Sequence, residues 1–420
     1  MKHDQEFAAF LGIDWADKKH DVCLQGAGSN RVQHRVLQHR PEDIEAWAQE
    51  LAARFGGQPI AVCLELTKGP LVSALQKYPF FVLFPVDPSS LAKYRATWSP
   101  SGKKDDRSDA ALALEIVLRH RDKLRPLHPQ RESMRALTQL VEDRRRLVSD
   151  RIRITNRAVA ALKSYFPQAL QWCSDPATPL FCDFVESFPT LEQAGNADPE
   201  HLRKFFLDHR VRGEERIAER IAAIKQAVPL TTDQGVVRPA RLKVQSLVAQ
   251  LRPVLSSIAR YDAEIRDLAA TLTDYPLFAS LPGAADTIAP RLLVAFGEDR
   301  ARFTTADELQ RYAGIAPVTQ QSGNAHWVHW RYKCPKFLRQ TFVEWAAQTI
   351  PRSYWASAFY AQRRERGASH QVALRALAFK WVRILFRCWQ TRTPYDEAKY
   401  LIALQKRHSP LLKTAANSTS

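Results

Sequence analysis

The sequence predicts an α/β domain with a mixed sheet and flanking helices, followed by a long helical region and a mostly helical C-terminal domain. Five apolar stretches of strand length occur within the first 125 residues, and the last two alternate with helical segments. Apolar residues then recur at helical spacing along 131–166 and 244–272. We therefore expect four parts, at 1–125, 126–276 and 277–405, with a flexible tail at 406–420.

The N-terminal strands begin as a meander. Three strand-like stretches, AAFLGIDWA, DVCLQGAG and RVQHRVLQH, follow one another and are joined by turn residues. Strands and helices then alternate, which favours a mixed sheet covered by helices. The predicted strands are 8–16, 21–28, 31–39, 59–66 and 80–86, and the predicted helices are 41–55, 69–78 and about 105–120.

Acidic residues stand at the ends of these apolar stretches. Asp14 and Glu65 each end an otherwise apolar strand, where a carboxylate either meets solvent or binds a cation. In KKDDRSDA, Asp106 and Asp109 share a helix face that continues as alanines, whereas Asp105 lies on a polar face as a first-turn acid. Phosphoryl transfer with two metal ions needs several such carboxylates. The set Asp14, Glu65, Asp106 and Asp109 is therefore predicted as a Mg²⁺ site on a ribonuclease H-like topology.

The first strand has an alternative interpretation. Actin-like kinases and ATPases also begin with a strand that ends in Asp, followed by Gly and hydroxyl residues that bind phosphate. Trp15, Ala16 and Asp17 stand at those positions here. The ATPase interpretation is weakened, although a shared fold ancestry stays open.

Two long helices are expected in the middle of the chain. Residues 131–166 form an apolar stripe opposed by arginines, and 244–272 alternates apolar spacings of three and four, the pattern of a coiled-coil seam. Pro253 is expected to kink the second helix or to start a new one. The pair could form an intramolecular hairpin, a dimerising coiled coil, or both. Between them, 167–239 is predicted as a small helical insertion.

The C-terminal block contains a turn of phosphate-binding type and a serine in a basic segment. Residues 277–297 are similar to the start of a helix-hairpin-helix, with Ala285 in place of the usual second glycine. Ser322 is expected in a loop between helices, where serine is more often structural than nucleophilic. The cations that follow are expected to contact nucleic-acid phosphates: Arg331, Lys333, Lys336 and Arg339.

Charge points to a polyanionic partner. The net charge is +17 and the pI is near 9.7, which is typical of nucleic-acid-binding proteins. The excess lies in 278–420, with 21 basic and 9 acidic side chains, while 1–130 is nearly neutral. Lys103, Lys104 and Arg107 are expected to approach phosphate beside the acids. A membrane-surface protein is the rival class, but we find no amphipathic basic anchor.

The cysteines indicate the compartment. Six are scattered along the chain without metal-binding spacing, so we expect them to be reduced in a cytoplasmic protein.

Five short motifs resemble one known family. GID at 12–14, LE at 64–65 and KDDRSDA at 104–110 resemble the acidic motifs of the insertion-sequence one-ten family, the DEDD transposases guided by a bridge RNA. AGIAP at 313–317 and QSG at 321–323 resemble that family's C-terminal serine motif. The pieces keep the family's order along most of the chain.

This resemblance implies an activity. It implies a RuvC-like domain that binds Mg²⁺ through Asp14, Glu65, Asp106 and Asp109, a coiled coil for assembly, and Ser322 as a nucleophile forming a covalent phosphoserine with DNA. The implied partners are target and donor DNA, a non-coding guide RNA, and further copies of the chain, as a homodimer assembling to a tetramer. Two alternatives stay open: a RuvC-type nuclease that uses metal-activated water, and a non-catalytic RNA-binding protein.

Overall fold

The computed structural model describes residues 6–66, 68–98, 106–128, 130–323, 325–409 and 411, without the side chains of Trp98, Asp106 and Arg107. The chain divides into two compact units, residues 1–129 and 130–420. Lys103, Lys104, Asp105 and nearly all of the predicted tail after residue 409 lie outside the described residues.

A five-stranded mixed sheet forms the centre of the first unit. The strand order is β3-β2-β1-β4-β5. The first three strands form an antiparallel meander, and β4 and β5 run parallel to β1, so the predicted mixed sheet is confirmed. The strands are β1 (Ala9–Trp15), β2 (Lys19–Gly26), β3 (Val32–Gln38), β4 (Ile60–Leu64) and β5 (Phe81–Pro85).

Helices cover both faces of this sheet. One face carries α1 and α2, whose apolar residues, among them Trp47 and Leu71, share a core with alternate residues of β1. The opposite face carries α4, whose Ala110 and Val117 belong to a second core together with Cys63. The helices are α1 (Pro41–Arg54), α2 (Pro70–Leu75), α3 (Pro88–Trp98) and α4 (Asp106–Arg119), followed by a 3-10 turn (Arg121–Lys123).

A pair of long antiparallel helices runs through the second unit. These are α5 (Glu132–Leu162) and α11 (Gln234–Ala270). The start of α5 packs with the end of α11, and the end of α5 packs with the first half of α11. The seam predicted in 244–272 is buried inside the chain, so the structure contains the intramolecular hairpin of the two alternatives.

Of the two outcomes expected at Pro253, the start of a new helix is wrong, because the helix continues through this residue as a single element of 37 residues. A kink at Pro253 stays a prediction. An internal proline removes one hydrogen bond at a cost of about 3 kcal/mol. Apolar residues on both sides of it, such as Leu251 and Ile265, are buried, and this packing offsets the loss.

Short helices pack on one end of the long pair. The 167–239 segment is helical as predicted, with a core rich in phenylalanine that includes Phe181, Phe184 and Phe206. Its helices are α6 (Ala169–Trp172), α7 (Pro179–Ser187), α8 (Leu191–Asn196), α9 (Pro199–Asp208) and α10 (Glu214–Gln226).

The remaining helices form a tryptophan-rich core with the other end of the pair. Trp345, Trp355, Trp381 and Trp389 are all fully buried in it. The elements are α12 (Tyr275–Ala279), α13 (Ala285–Phe296), α14 (Ala306–Tyr312), β6 (Val318–Ser322), β7 (Ala325–His329), α15 (Lys336–Thr349), α16 (Tyr354–Glu365), α17 (His370–Thr391) and α18 (Glu397–Lys406), with 3-10 turns at Arg300–Arg302 and Ile350–Arg352.

The turn that contains Gly283, within the 277–297 segment that is similar to a helix-hairpin-helix, packs against the protein interior. A Cβ atom at Gly283, whose φ is +71°, would lie 2.6 Å from the carbonyl oxygen of Gln348. The indole of Trp345 donates a hydrogen bond of 3.0 Å to the carbonyl oxygen of Pro282. The glycine is therefore required for packing against α15. Across the part of the chain that the structure describes, no helix combines the length and apolar character needed to cross a membrane.

Candidate active site

Asp14 and Glu65 come to lie side by side at one end of the sheet. The register of the parallel strands β1 and β4 pairs Ile13 with Leu64. The next residue along each strand is Asp14 or Glu65, and neighbouring strands lie about 4.8 Å apart. Both acids are half-buried. The strand pairing therefore brings these two predicted ligands together.

A third carboxylate lies on the other side of Asp14. Asp21 of β2 is the cross-strand partner of Asp14, so both side chains project from the same face of the sheet. Like charges directly opposite each other destabilise a sheet, and a nearby cation would relieve the repulsion. Asp21 was not predicted as a site residue from the sequence, because its position on this face is known only from the register of β1 and β2.

Gly12 allows helix α4 to lie against this same face. A Cβ atom at Gly12 would be 2.1 Å from the carbonyl oxygen of Ala110 and 2.2 Å from the amide nitrogen of Leu114. Gly12 and Asp14 are two residues apart on one strand and so face the same side. The GID motif thus combines a close helix contact with a carboxylate next to it.

Asp109 is buried beside that contact and pairs with an arginine. Its side chain is only 4% exposed, and its Oδ1 accepts a hydrogen bond from Arg95 Nε at 2.8 Å and lies 2.6 Å from Arg95 Nη2 in an ion pair. A buried carboxylate needs such a partner, since an uncompensated charge would cost several kcal/mol. Arg95 thereby fixes the orientation of the Asp109 side chain.

Arg95 was not predicted from the sequence, because the helix α3 that carries it was not predicted either. The signal was present in VDPSS, where Pro88 opens the helix and the Ser89 amide donates a 2.9 Å hydrogen bond to Asp87 Oδ1. Short helices without a strong apolar stripe give little periodicity. The pairing of Arg95 with Asp109 could not be seen without the fold.

The predicted acid pair on α4 is described only in part. The helix begins at Asp106, whose side chain lies outside the description, as does the side chain of Arg107. Asp105, Lys103 and Lys104 lie before the described part of this helix. The shared face of Asp106 and Asp109 therefore stays a prediction based on helical spacing.

The donors at this site suit a hard cation. Asp14, Asp21, Glu65 and Asp109 offer only carboxylate oxygens, which Mg²⁺ prefers. Burial, with the nearby Glu65 charge, raises the pKa of Cys63 to about 12. Within the described residues, no three His, Cys, Asp or Glu side chains stand close enough to hold an ion as they are.

Ser322 lies at the tip of a β-hairpin in the second unit. The prediction of a loop between helices was wrong, because β6 and β7 pair in antiparallel fashion and Ser322 opposes Ala325. Gly323, with φ of +58°, begins the turn. Both strands are short and almost entirely exposed, so they lack the alternation of buried apolar and exposed polar residues by which a strand is recognised.

Basic side chains follow the hairpin. Lys333 and Lys336 are exposed, whereas Arg331 and Arg339 are half-buried. Arg339 Nη1 donates a 3.2 Å hydrogen bond to the carbonyl oxygen of Arg331. The four predicted phosphate contacts therefore lie on the hairpin exit and the first turns of α15.

Comparisons with known proteins agree along the chain. A DEDD-type family model described as a transposase matches residues 11–167, and a model described as the transposase IS116/IS110/IS902 family matches 275–361. A mini-circle protein assigned as the transposase of IS117 in Streptomyces coelicolor is 28% identical over 98% of this chain and all of its own length.

Two further relatives cover almost the whole chain. The 43.6 kDa protein of insertion element IS110 from Streptomyces coelicolor is 27% identical over 94% of this chain and 97% of its own. The 42 kDa protein of insertion element IS900 from Mycobacterium paratuberculosis is 24% identical over 93% and 97%.

Proposed function

Because the chain belongs to the IS110 family of transposases, which are enzymes that cleave and transfer DNA, we propose that it cleaves DNA with a carboxylate site in the first unit and with Ser322 as the nucleophile. The observation that carries this proposal is the placement of Asp14 and Glu65 side by side at one end of the sheet, on the face against which α4, the helix that carries Asp109, packs at Gly12. Asp106 completes the set as a neighbour of Asp109 on the same helix.

The first unit is proposed to be a ribonuclease H-like, RuvC-like domain. An antiparallel meander followed by two parallel strands, with acids at the ends of β1 and β4, supports this assignment. Residues 126–276 are proposed to mediate assembly into a homodimer and then a tetramer. Since the 244–272 seam is buried within the chain, we expect the assembly surface on the outer side of the helix pair, where Ile152 and Leu242 are exposed.

The carboxylates fit a metal-dependent reaction. Asp14, Glu65, Asp106 and Asp109 would hold Mg²⁺, which when bound draws charge from the phosphate oxygens of DNA. Arg95 orients Asp109, and burial on the α4 face limits water around it.

Ser322 supplies the nucleophile in this proposal. Its Oγ attacks phosphorus, so that an Oγ–P bond forms while the P–O3′ bond breaks, and the proton lost by the hydroxyl ends on the released 3′ oxygen. The product is a phosphoserine with the 5′ side of the DNA. Attack by a 3′ hydroxyl from another strand reverses the step, rejoins DNA and frees Ser322.

Base pairing with a non-coding guide RNA is proposed to select donor and target DNA. The strongly basic 278–420 segment supports binding to nucleic-acid backbones, with Lys103, Lys104 and Arg107 contributing beside the acids. Recognition of sequence through RNA leaves the protein with shape and phosphate contacts.

Strand cleavage by acid variants tests the carboxylate site. Asp14→Asn, Glu65→Gln, Asp106→Asn and Asp109→Asn are each expected to lower Mg²⁺-dependent cleavage by at least about 100-fold, since each removes a ligand charge. Asp105→Asn and the exposed Asp17→Asn are the matched controls and should retain most activity. Loss in Asp105→Asn with retention in Asp106→Asn would contradict the assignment of the helix face.

A further inference from the structure

The tryptophans of the C-terminal part of the second unit, from α12 onwards, differ in exposure. Four in the helical core are buried, and each of their indole N–H groups donates a hydrogen bond of 2.7–3.0 Å inside the protein. The hairpin and its exit instead expose Trp327 by 49%, Trp330 by 40% and Tyr332 by 78%. Exposed large aromatics in a basic segment mark a surface that binds something.

The strand register places Trp327 on the same face of the hairpin as Ser322. Ser322 opposes Ala325, and Gln320 opposes Trp327, so these four side chains share one face. Trp327 is thus the diagonal neighbour of Ser322, at about 7–8 Å. Val328 lies on the opposite face.

Trp330 is less accessible for stacking than Trp327, because arginine side chains cover its ring. The Arg375 guanidinium stacks over its ring, and that of Arg339 lies 5.8 Å from the ring centre. Just beyond, Cys334 packs so closely on Gly314 that a Cβ atom there would lie 2.2 Å from Sγ. These contacts tie the base of the hairpin to the helices and leave Trp327 at its exposed end.

From this placement we propose that Trp327 stacks on an unpaired DNA base next to the phosphodiester that Ser322 attacks. An indole offers a flat surface to any base, whatever its identity. The proposal rests on the proposed function of Ser322 and adds the state of the DNA that the site accepts: a strand whose bases are out of the duplex at the cleavage point. Tyr332, the more exposed ring, is a second stacking surface at the hairpin exit.

Charge favours nucleic acid over a second protein copy as the occupant of this face. Lys333, Lys336 and Arg331 follow Trp327 within nine residues, and the guanidinium groups of Arg339 and Arg375 both lie over the ring of Trp330. Burial, together with the Arg339 charge, lowers the pKa of Arg375, as expected where cations lack an anion between them. Two copies meeting through such a surface would repel each other.

The same register gives the positions of the two hairpin histidines relative to Ser322. His326 opposes Gln321 and so lies on the face away from Ser322, and His329 opposes Val318, with Trp327 between it and Ser322. Neither neighbours the serine on its own face. A histidine of this hairpin is therefore not the group that takes the serine proton.

The test measures base stacking separately from chemistry. The full chain carrying Ser322→Ala is titrated, without Mg²⁺, with DNA that contains a short unpaired bubble and 2-aminopurine in it, and with fully paired DNA of the same sequence. Adding Trp327→Ala should weaken bubble binding by roughly 5- to 150-fold and abolish quenching of 2-aminopurine. Binding to paired DNA should be unchanged, and Trp327→Phe should restore most of the bubble preference.

Matched variants separate stacking from other causes. Val328→Ala, on the opposite face and 70% exposed, should bind bubble DNA as the parent does. Lys336→Ala should lower the slope of log affinity against log salt by about 1, while Trp327→Ala leaves the slope unchanged.

Three results would overturn the proposal: full bubble binding by Trp327→Ala, an equal loss in Val328→Ala, or a loss of oligomer mass in Trp327→Ala with intact DNA binding. Failure of the serine proposal would look different, because it would leave this stacking signal in place and remove only the covalent adduct.

Discussion

At the residue scale, one glycine decides whether the carboxylate site can form. Gly12→Ala would place a Cβ atom about 2 Å from the α4 backbone, which no rotamer change can relieve. We expect a loss of about 1–3 kcal/mol in the free energy of unfolding, measured by urea denaturation, and a parallel loss of cleavage. Gly26→Ala is the control, since its Cβ would meet only Phe55 at 3.9 Å. Equal stability of the two variants would contradict this view of α4.

Arg95 gives a second residue-scale prediction. Arg95→Gln leaves Asp109 buried without its cation, and breaking such a pair costs about 3 kcal/mol. Added Mg²⁺ should raise the melting temperature of Arg95→Gln more than that of the parent, because a divalent ion replaces the missing charge. Arg35→Gln, which breaks an exposed pair with Glu50, should cost under about 1 kcal/mol. An Mg²⁺ response equal to the parent's would show that Asp109 does not face the metal.

Individual residues show which parts of the candidate site can be predicted from the sequence. Asp14 and Glu65 were visible because a charged residue stands out at the end of an apolar strand. Asp21 and Arg95 were not, since each acquires its meaning from a partner that is close only after folding. A carboxylate opposite another carboxylate, or a guanidinium on a buried acid, leaves no local pattern.

At the element scale, a clear apolar period accounts for most of the correct predictions. The buried strands of the sheet and the two long helices were predictable because their apolar residues repeat with such a period, whereas β3 is exposed except at Leu37 and was marked by its length and its flanking turn residues. The hairpin at 318–329 was not predicted, because its strands are short, exposed and without a buried apolar face. Pro253 does not start a new helix, because packing along α11 outweighs the local rule.

The helix pair carries a prediction at this scale. Leu251 is fully buried in α11, so Leu251→Ala should lower stability by about 2–5 kcal/mol without changing the molecular mass in solution. Ile152→Ala, on an exposed site of α5, should cost little stability. Dissociation of an oligomer by Leu251→Ala with unchanged stability would mean that the seam pairs between chains instead.

At the scale of the whole molecule, the excess of positive charge and the candidate metal-binding carboxylates lie on different units. The first unit contains the carboxylates, and the basic excess lies in the second. Such a division suits an enzyme that binds nucleic acid with one part and cleaves it with another. The family assignment agrees with both halves, since one family model matches each.

Guidance by RNA predicts a discrete nucleic acid in the purified protein. Expressed with its flanking DNA, the chain should co-purify with one structured RNA species, because a +17 protein retains its partner at moderate salt. Sequencing of RNA extracted after a wash at moderate salt checks this. Recovery of only heterogeneous fragments, equal to those bound by an unrelated basic protein, would favour the plain nuclease.

The most direct measurement is a covalent trap on a suicide DNA substrate with Mg²⁺ present. We predict a protein–DNA adduct that survives denaturation, and peptide mass spectrometry should place the phosphodiester on Ser322. The adduct should vanish in Ser322→Ala and Asp109→Asn and persist in Thr319→Ala, a hydroxyl on the other face of the same hairpin. An adduct retained in Ser322→Ala, or Mg²⁺-dependent cleavage that never yields one, would contradict it.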